Sequence, residues 1–302
     1  MDKRDLDLLQ LTRQGDRRAL ARAISYAANG IVDFGPQLAG LPPSSATVIG
    51  VTGPPGAGKS TLVDALIGAY IEKDKKVAVL CVDPSSAFHD GALLGDRIRM
   101  NDWFNEPRVF IRSLSTRGSL GGLNPRIIEI VDLVKSALFD LVIIETVGVG
   151  QNEIEIAGLA DAVLVVLAPE SGDDIQSMKA GLLEIADIFV VNKSDRPGAD
   201  IFVRNLRMMQ APEFRREGRA APVVKTIAMQ KQGIRELTDQ IEERLQQPAV
   251  SGRRYRLLAE QAYLLIQHKK MRGVDKKDLA EKIEALYRTH SFNLYRFVEE
   301  WD

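Results

Sequence analysis

An open α/β sheet, doubly wound and mainly parallel, is the fold class this sequence predicts, with a helical extension before it and a helical segment after it. Three observations predict it. Seven short apolar runs, at 48–51, 77–82, 109–111, 141–144, 162–167, 188–191 and 223–224, are continuous rather than alternating, as strands covered on both faces require. Longer segments of helical character separate them, which calls for right-handed crossovers. The first run leads straight into a glycine-rich turn and then a helix, the order in which such sheets build their ligand edge.

The elements follow in order. Up to about Leu41 the chain reads as two short helices, with Asp16 placed to cap a helix that carries Leu20, Ile24 and Ala27 on one face. Gly40-Leu41-Pro42-Pro43-Ser44-Ser45 is a turn-rich linker. The expected division is therefore 1–45 for the helical extension, 46–247 for the α/β domain and 248–302 for a C-terminal arm. In the arm the strands cease. Leu258, Ala262 and Leu265 form one helical stripe, Leu279, Ile283 and Leu286 a second, and Phe292, Tyr295 and Trp301 continue into a third segment. Such stripes must be buried, either by packing back on the domain or by pairing with a second copy.

Composition narrows the function classes. The 302 residues include 40 Lys and Arg against 41 Asp and Glu, a net charge of -1, which gives no global electrostatic reason to expect nucleic-acid binding. Cys81 is the single cysteine, so disulfides within the chain and cysteine-based zinc sites are excluded. The N-terminal residues lack the apolar stretch of a secretory signal. The most apolar window, 157–169, is broken by Asp161 and too short to span a bilayer. The expectation is a cytoplasmic protein with no membrane partner.

Gly53-Pro54-Pro55-Gly56-Ala57-Gly58-Lys59-Ser60 is a complete G-x-x-x-x-G-K-S between a strand and a helix that continues at Thr61, the context a P-loop requires. Its glycines let backbone amides turn inward around phosphates, where the helix N-terminus adds positive potential. Lys59 then reaches the β- and γ-phosphates and the Ser60 hydroxyl serves Mg2+. The run 141–144 delivers Glu145 to the ligand edge of the sheet, so that Glu145 supports the magnesium shell through water and the Gly148 amide senses the γ-phosphate. Asn192-Lys193-Ser194-Asp195 directly follows another run. In this N-K-x-D, the Asp195 carboxylate accepts from N1–H and the exocyclic amine of guanine, a donor pair adenine lacks. Asn192 braces the loop, and the Lys193 stem lies over the base. Thr226-Ile227-Ala228 follows the last run, where a backbone amide meets guanine O6. Asp83 and Asp96 flank a polar, glycine-containing stretch and are both candidates for magnesium contact or for positioning the water, with a loop-capping aspartate as the alternative for each. GTP or GDP with magnesium is the ligand set these motifs describe.

At this point the chain resembles the MeaB/ArgK/MMAA-type G-proteins, which serve adenosylcobalamin-dependent acyl-CoA mutases such as methylmalonyl-CoA mutase. The resemblance runs nearly end to end. Its most specific stretches are Val82-Asp83-Pro84-Ser85-Ser86, Gly91 to Arg97, SLSTRGSLGG from Ser113 to Gly122, Glu145-Thr146-Val147-Gly148-Val149-Gly150-Gln151, and Ser171-Gly172-Asp173-Asp174-Ile175-Gln176 followed by Lys179. It implies that Lys59, Ser60, Asp83, Asp96 and Glu145 form the phosphate, magnesium and hydrolysis centre. It implies too that Asp173, Asp174, Gln176 and Lys179 form a switch that couples nucleotide state to the mutase. It further implies a homodimer through the C-terminal helices, adenosylcobalamin held by the partner rather than by this chain, and an adenosyltransferase as a second candidate partner. D-x-H-x-x-G, the cobalamin-ligating pattern of such mutases, is absent from the sequence. One departure is His89-Asp90-Gly91, where relatives carry Ser/Thr-Gly-Gly; a solvated loop histidine is the plainer reading of His89. The chain also lacks the glutamine with which small GTPases orient water, so hydrolysis is expected to be slow alone and stimulated by the partner.

Two other functions compete. A metallochaperone GTPase would deliver nickel or zinc, yet His89, His268 and His290 are scattered and Cys81 lies within a strand. A P-loop kinase linked to basic amino-acid transport would transfer the γ-phosphate to an acceptor other than water, whereas Asn192–Asp195 argues against ATP. Arg97, Arg99, Arg108, Arg112, Arg117 and Arg126 make a locally basic region, readable as a docking face or as salt-bridged surface.

Overall fold

A computed structural model describes residues 3–83, 100–115, 125–146, 152–169, 180–210, 220–246, 252–271, 273–274, 276–289 and 291–299. The chain divides into two units, Met1–Gln261 and Ala262–Asp302.

In the first unit all seven apolar runs form strands: β1 (Thr47–Thr52), β2 (Val77–Asp83), β3 (Val109–Ser115), β4 (Leu141–Thr146), β5 (Ala162–Leu167), β6 (Ile188–Val191) and β7 (Val223–Lys225). They make one sheet in the order β3-β2-β4-β1-β5-β6-β7, and every registered pair is parallel. The strand order reverses direction beside β1, so the residues after β1 lie in the crevice where open α/β sheets bind ligands. Strand β3 runs further than its apolar run, because Arg112 and Ser113 break the hydrophobicity without breaking the ladder. Arg112 Nη2 donates to Ser25 Oγ at 2.7 Å.

Helices α1 (Lys3–Arg13), α2 (Arg17–Ala28), α3 (Gly35–Leu38), α4 (Lys59–Glu72), α5 (Pro125–Ser136), α6 (Asn152–Leu159), α7 (Ala180–Ile185), α8 (Ala199–Met209), α9 (Ile234–Gln246) and the start of α10 (Gly252–Lys270) cover the sheet. Successive strand residues face opposite sides, and the core divides accordingly. Val48, Ala78, Leu80, Val142, Ile144, Val163 and Val165 pack with α2, α5, α6 and α8. Ile49, Val51, Val79, Cys81, Ile143 and Leu164 pack with α4 and α9. Cys81, within β2, is a buried core residue.

The N-terminal helices belong to that first core. Asp16 caps α2, its Oδ1 accepting from Arg18 N at 2.8 Å and Ala19 N at 2.9 Å, and Leu20, Ile24 and Ala27 are buried. Phe34, just beyond α2, is fully buried, and its N–H donates to Glu129 Oε1 of α5 at 2.5 Å. Nothing in the linear pattern showed what this extension would pack against; it is the outer layer over β3 and α5.

The N-terminal edge of the sheet is held by a repeated device. Asp140, Asp161 and Asp187 each stand immediately before a strand. Their Oδ2 atoms accept from backbone amides of the neighbouring strand or the residue leading into it: Lys76 N at 2.8 Å, Val48 N at 2.8 Å and Val163 N at 2.9 Å. Each carboxylate thus fixes the register of two strands. Asp161→Ala is expected to lower stability by about 1–3 kcal/mol, the cost of removing a charged acceptor from a buried amide. Guanine-nucleotide affinity should not change, because the substitution sits at the edge opposite the glycine-rich turn. Urea unfolding and nucleotide titration of the same preparation check both parts.

The second unit holds the rest of α10, α11 (Lys276–Arg288) and α12 (Leu294–Glu299). Tyr287 stacks on Phe292 with ring centroids 4.7 Å apart, and Phe297 closes the group at 6.1 Å. Most of its other apolar side chains are exposed, Ile266, Leu294, Tyr295 and Val298 among them. Among the described residues no helix is long and apolar enough to cross a membrane.

Candidate nucleotide site

The site grows from the turn between β1 and α4. Gly53 takes φ +138, and a Cβ there would stand 2.0 Å from the Val166 carbonyl oxygen; only glycine fits. Gly58 takes φ +89 and starts α4 without a side-chain cap, and its Cβ would meet Asn192 Nδ2 at 2.4 Å. Lys59 folds back over the turn, its Nζ donating to Gly53 O at 2.8 Å and Pro54 O at 3.0 Å. It is almost buried, so its ammonium is held at the turn rather than in solvent. Pro54, Pro55 and Gly56 form the outer rim, with Pro55 and Gly56 exposed, whereas Ala57 is buried and Thr61 is half-buried on the first turn of α4.

Ser60 and Glu145 meet directly. The Ser60 hydroxyl donates to Glu145 Oε1 at 2.6 Å in a buried contact, joining the start of α4 to the C-terminal end of β4. Sequence separation is 85 residues; the sheet brings them together because Val51 and Glu145 are registered partners. Two hard oxygen donors at hydrogen-bond distance suit a divalent cation such as Mg2+, while the lysine and the helix N-terminus beside them suit phosphate.

The Asn192-Lys193-Ser194-Asp195 segment is tied to the same turn. Asn192 donates through Nδ2 to Ala57 O at 3.0 Å, and its Oδ1 accepts from Thr226 Oγ1 at 3.2 Å and Ala228 N at 3.1 Å. This buried amide therefore braces three segments, wider than the loop brace expected from sequence. The Ala228 N–H, a candidate for guanine O6, is given to Asn192 in this structure. Lys193 adopts φ 55, and Ser194 N donates to Thr226 O at 3.1 Å. Asp195 is exposed on this frame.

Several predicted residues lie outside the described ones: Asp96, Gly148, His89, His290 and the switch residues Asp173, Asp174, Gln176 and Lys179. Asp83 ends β2, and its side chain lies outside the description, as does that of His268. Within the basic region, Arg108 is spoken for. It donates through Nε to Glu106 Oε1 at 2.9 Å and through Nη1 to Asp74 Oδ1 at 3.1 Å, and its hydrogen bonds hold the Glu106 carboxyl down at about 2. Arg126 reaches Glu129 at 3.2 Å, and Arg112 reaches Ser25. All three serve the fold, and Arg108 leads into the N-terminal end of β3, away from the nucleotide edge; Arg97, Arg99 and Arg117 lie outside the described residues.

One contact escaped the sequence. Thr146 Oγ1 donates to Thr52 Oγ1 at 3.0 Å, with both residues buried. The only signal was a threonine at the end of each of two neighbouring strands, which β propensity alone explains.

Comparisons with known proteins bear on the family and the fold. A Pyrococcus abyssi relative is 45% identical over 252 residues, 82% of this chain and 78% of that one. A Caenorhabditis briggsae protein described as a mitochondrial methylmalonic aciduria type A homolog is 45% identical over 148 residues, 49% of this chain and 36% of that one. The crystal structure of an LAO/AO transport system kinase superposes with a TM-score of 0.66 at 26% identity, covering 99% of this chain and 97% of that chain. The profile of the family described as methylmalonyl Co-A mutase-associated GTPase MeaB matches residues 21–283, a range that takes in the whole sheet, the turn and the N-K-x-D segment, and the chain therefore belongs to the MeaB family of GTPases.

Proposed function

We propose that this GTPase uses GTP binding and hydrolysis to time the loading or repair of an adenosylcobalamin-dependent acyl-CoA mutase. The observation that carries the nucleotide half is the continuous buried path from Glu145 through Ser60 and the glycine-rich turn to Asn192. It joins the phosphate end of the site to the base end through side-chain hydrogen bonds. On this reading Lys59 and the turn amides hold the β- and γ-phosphates, Asp195 selects guanine, and Ser60 and Glu145, with Asp83 or Asp96, hold Mg2+. Bound there, the cation supplies charge neutralisation at the phosphates. The chain's own part is positioning: Lys59 orients the terminal phosphate and Asn192 fixes the distance between base and phosphate subsites. Hydrolysis without the partner is slow.

The mutase half rests on the family description and on the methylmalonic aciduria type A homolog. Asp173, Asp174, Gln176 and Lys179 are the residues we assign to coupling, and adenosylcobalamin stays with the partner. The exposed Ile266, Leu294, Tyr295 and Val298 of the C-terminal unit support a homodimer through this arm.

Purified methylmalonyl-CoA mutase should bind this protein with an affinity that changes when GDP is replaced by a non-hydrolysable GTP analogue, and Asp173→Ala should erase the difference. Affinity independent of nucleotide would end the timing model. Transfer of the γ-phosphate to an amino acid rather than to water would favour a kinase instead.

A further inference from the structure

The hydroxyl bridge between Thr52 and Thr146 lies at a particular point in the sheet. Registered pairing of β1 with β4 ends at Val51 and Glu145. One residue further, β4 is still registered with β2 through Val82 and Thr146, and β1 with β5 through Thr52 and Val165. The two strands that present the glycine-rich turn and Glu145 are thus joined, beyond their own ladder, by a side-chain hydrogen bond. Along that row the flanking residues are Val82 and Val165, which offer no polar group, so each threonine hydroxyl finds its partner in the other.

Adjacent residues on a strand face opposite sides. Glu145 therefore points toward α4 and Ser60, while Thr146 points to the other face and grips Thr52, the residue immediately before Gly53. A change in the spacing of the two strand ends alters the Ser60–Glu145 distance directly. We propose that Thr146, through its bond to Thr52, is a positioning residue that holds Glu145 at the correct distance from Ser60 for Mg2+. This rests on the assignment of Ser60 and Glu145 to magnesium.

The test uses the full chain loaded with a fluorescent GDP analogue, and reads the Mg2+ concentration that half-maximally slows nucleotide release. Thr146→Val should raise that midpoint by about 10-fold, the usual effect of removing a group that orients a metal ligand, while release in excess EDTA stays at the wild-type rate. Thr146→Ser, which keeps the hydroxyl, should restore the wild-type midpoint. The paired Thr52→Val/Thr146→Val variant leaves no hydroxyl unpaired and suits its valine neighbours, so it should unfold like the wild type yet keep the raised midpoint. That separates positioning from stability. An unchanged midpoint in Thr146→Val, or release accelerated equally with and without Mg2+, overturns the proposal. Glu145→Gln is run alongside. If it leaves the midpoint unmoved, the magnesium assignment fails and the bridge with it; if it shifts the midpoint and Thr146→Val does not, the bridge alone fails.

Discussion

Lys59→Ala is expected to lower GTP turnover by about 10²–10³-fold, the scale on which removal of one preorganised donor from a developing charge acts. Two features of the structure make the effect large. The ammonium is nearly buried at the turn, where a low local dielectric strengthens its interaction with phosphate oxygens. Its stem is also anchored at the first residue of α4, so the charge is placed by the backbone rather than by a flexible arm. Arginine does not substitute, because a planar fork cannot occupy the position of a point donor between Gly53 O and Pro54 O. The alanine variant leaves those carbonyls without this donor, and a fall in unfolding free energy of about 1–3 kcal/mol accompanies the lost activity. Phosphate release at saturating GTP measures the first effect and urea unfolding the second. Turnover close to wild type would remove Lys59 from the phosphates.

What the sequence allowed to be read, and what it did not, follows from how each feature is encoded. Strands buried on both faces announce themselves as continuous apolar runs, and all seven formed. The turn at 53–60 was legible because glycine is required there by three positive φ angles and two prohibitive Cβ contacts, a constraint visible at the level of residue type. Asp16 as a cap was legible for the same reason. The partners of the N-terminal helices were not: a stripe such as Leu20, Ile24 and Ala27 states that it is buried, never against what. Asp140, Asp161 and Asp187 recur before three strands, a pattern present in the text of the sequence but without meaning until neighbouring strands are known. Thr52 and Thr146 are the extreme case, since threonine in a strand needs no special explanation. The contact of Ser60 with Glu145 was implied by motif order, yet the bracing of Ala57, Thr226 and Ala228 by one asparagine amide depends on three loops converging. Such convergence belongs to topology, not to local pattern.

Asp195→Asn should weaken GTP binding by about 10³-fold or more, because a site built to accept a donor pair rejects a ligand that leaves its polar groups mismatched. The carboxylate presents two acceptors, and guanine offers N1–H and a 2-amino group. An asparagine turns one acceptor into an N–H donor, which then faces the guanine amine, donor against donor. Xanthine carries a carbonyl at that carbon, so the variant should instead gain affinity for xanthosine triphosphate, while ATP remains a poor ligand for both proteins. The frame should survive the exchange. Asp195 is exposed, and the loop's backbone is held by Ser194 N on Thr226 O and Arg196 N on Lys193 O. Neither bond uses the substituted side chain. A preserved unfolding curve together with exchanged base preference is thus the expected pair of results, read by competition of each triphosphate against a fluorescent guanine nucleotide. Equal loss of GTP and xanthosine triphosphate binding would mean that Asp195 supports the loop rather than reading the base, and base selection would then fall to the Thr226–Ala228 segment that Asn192 holds.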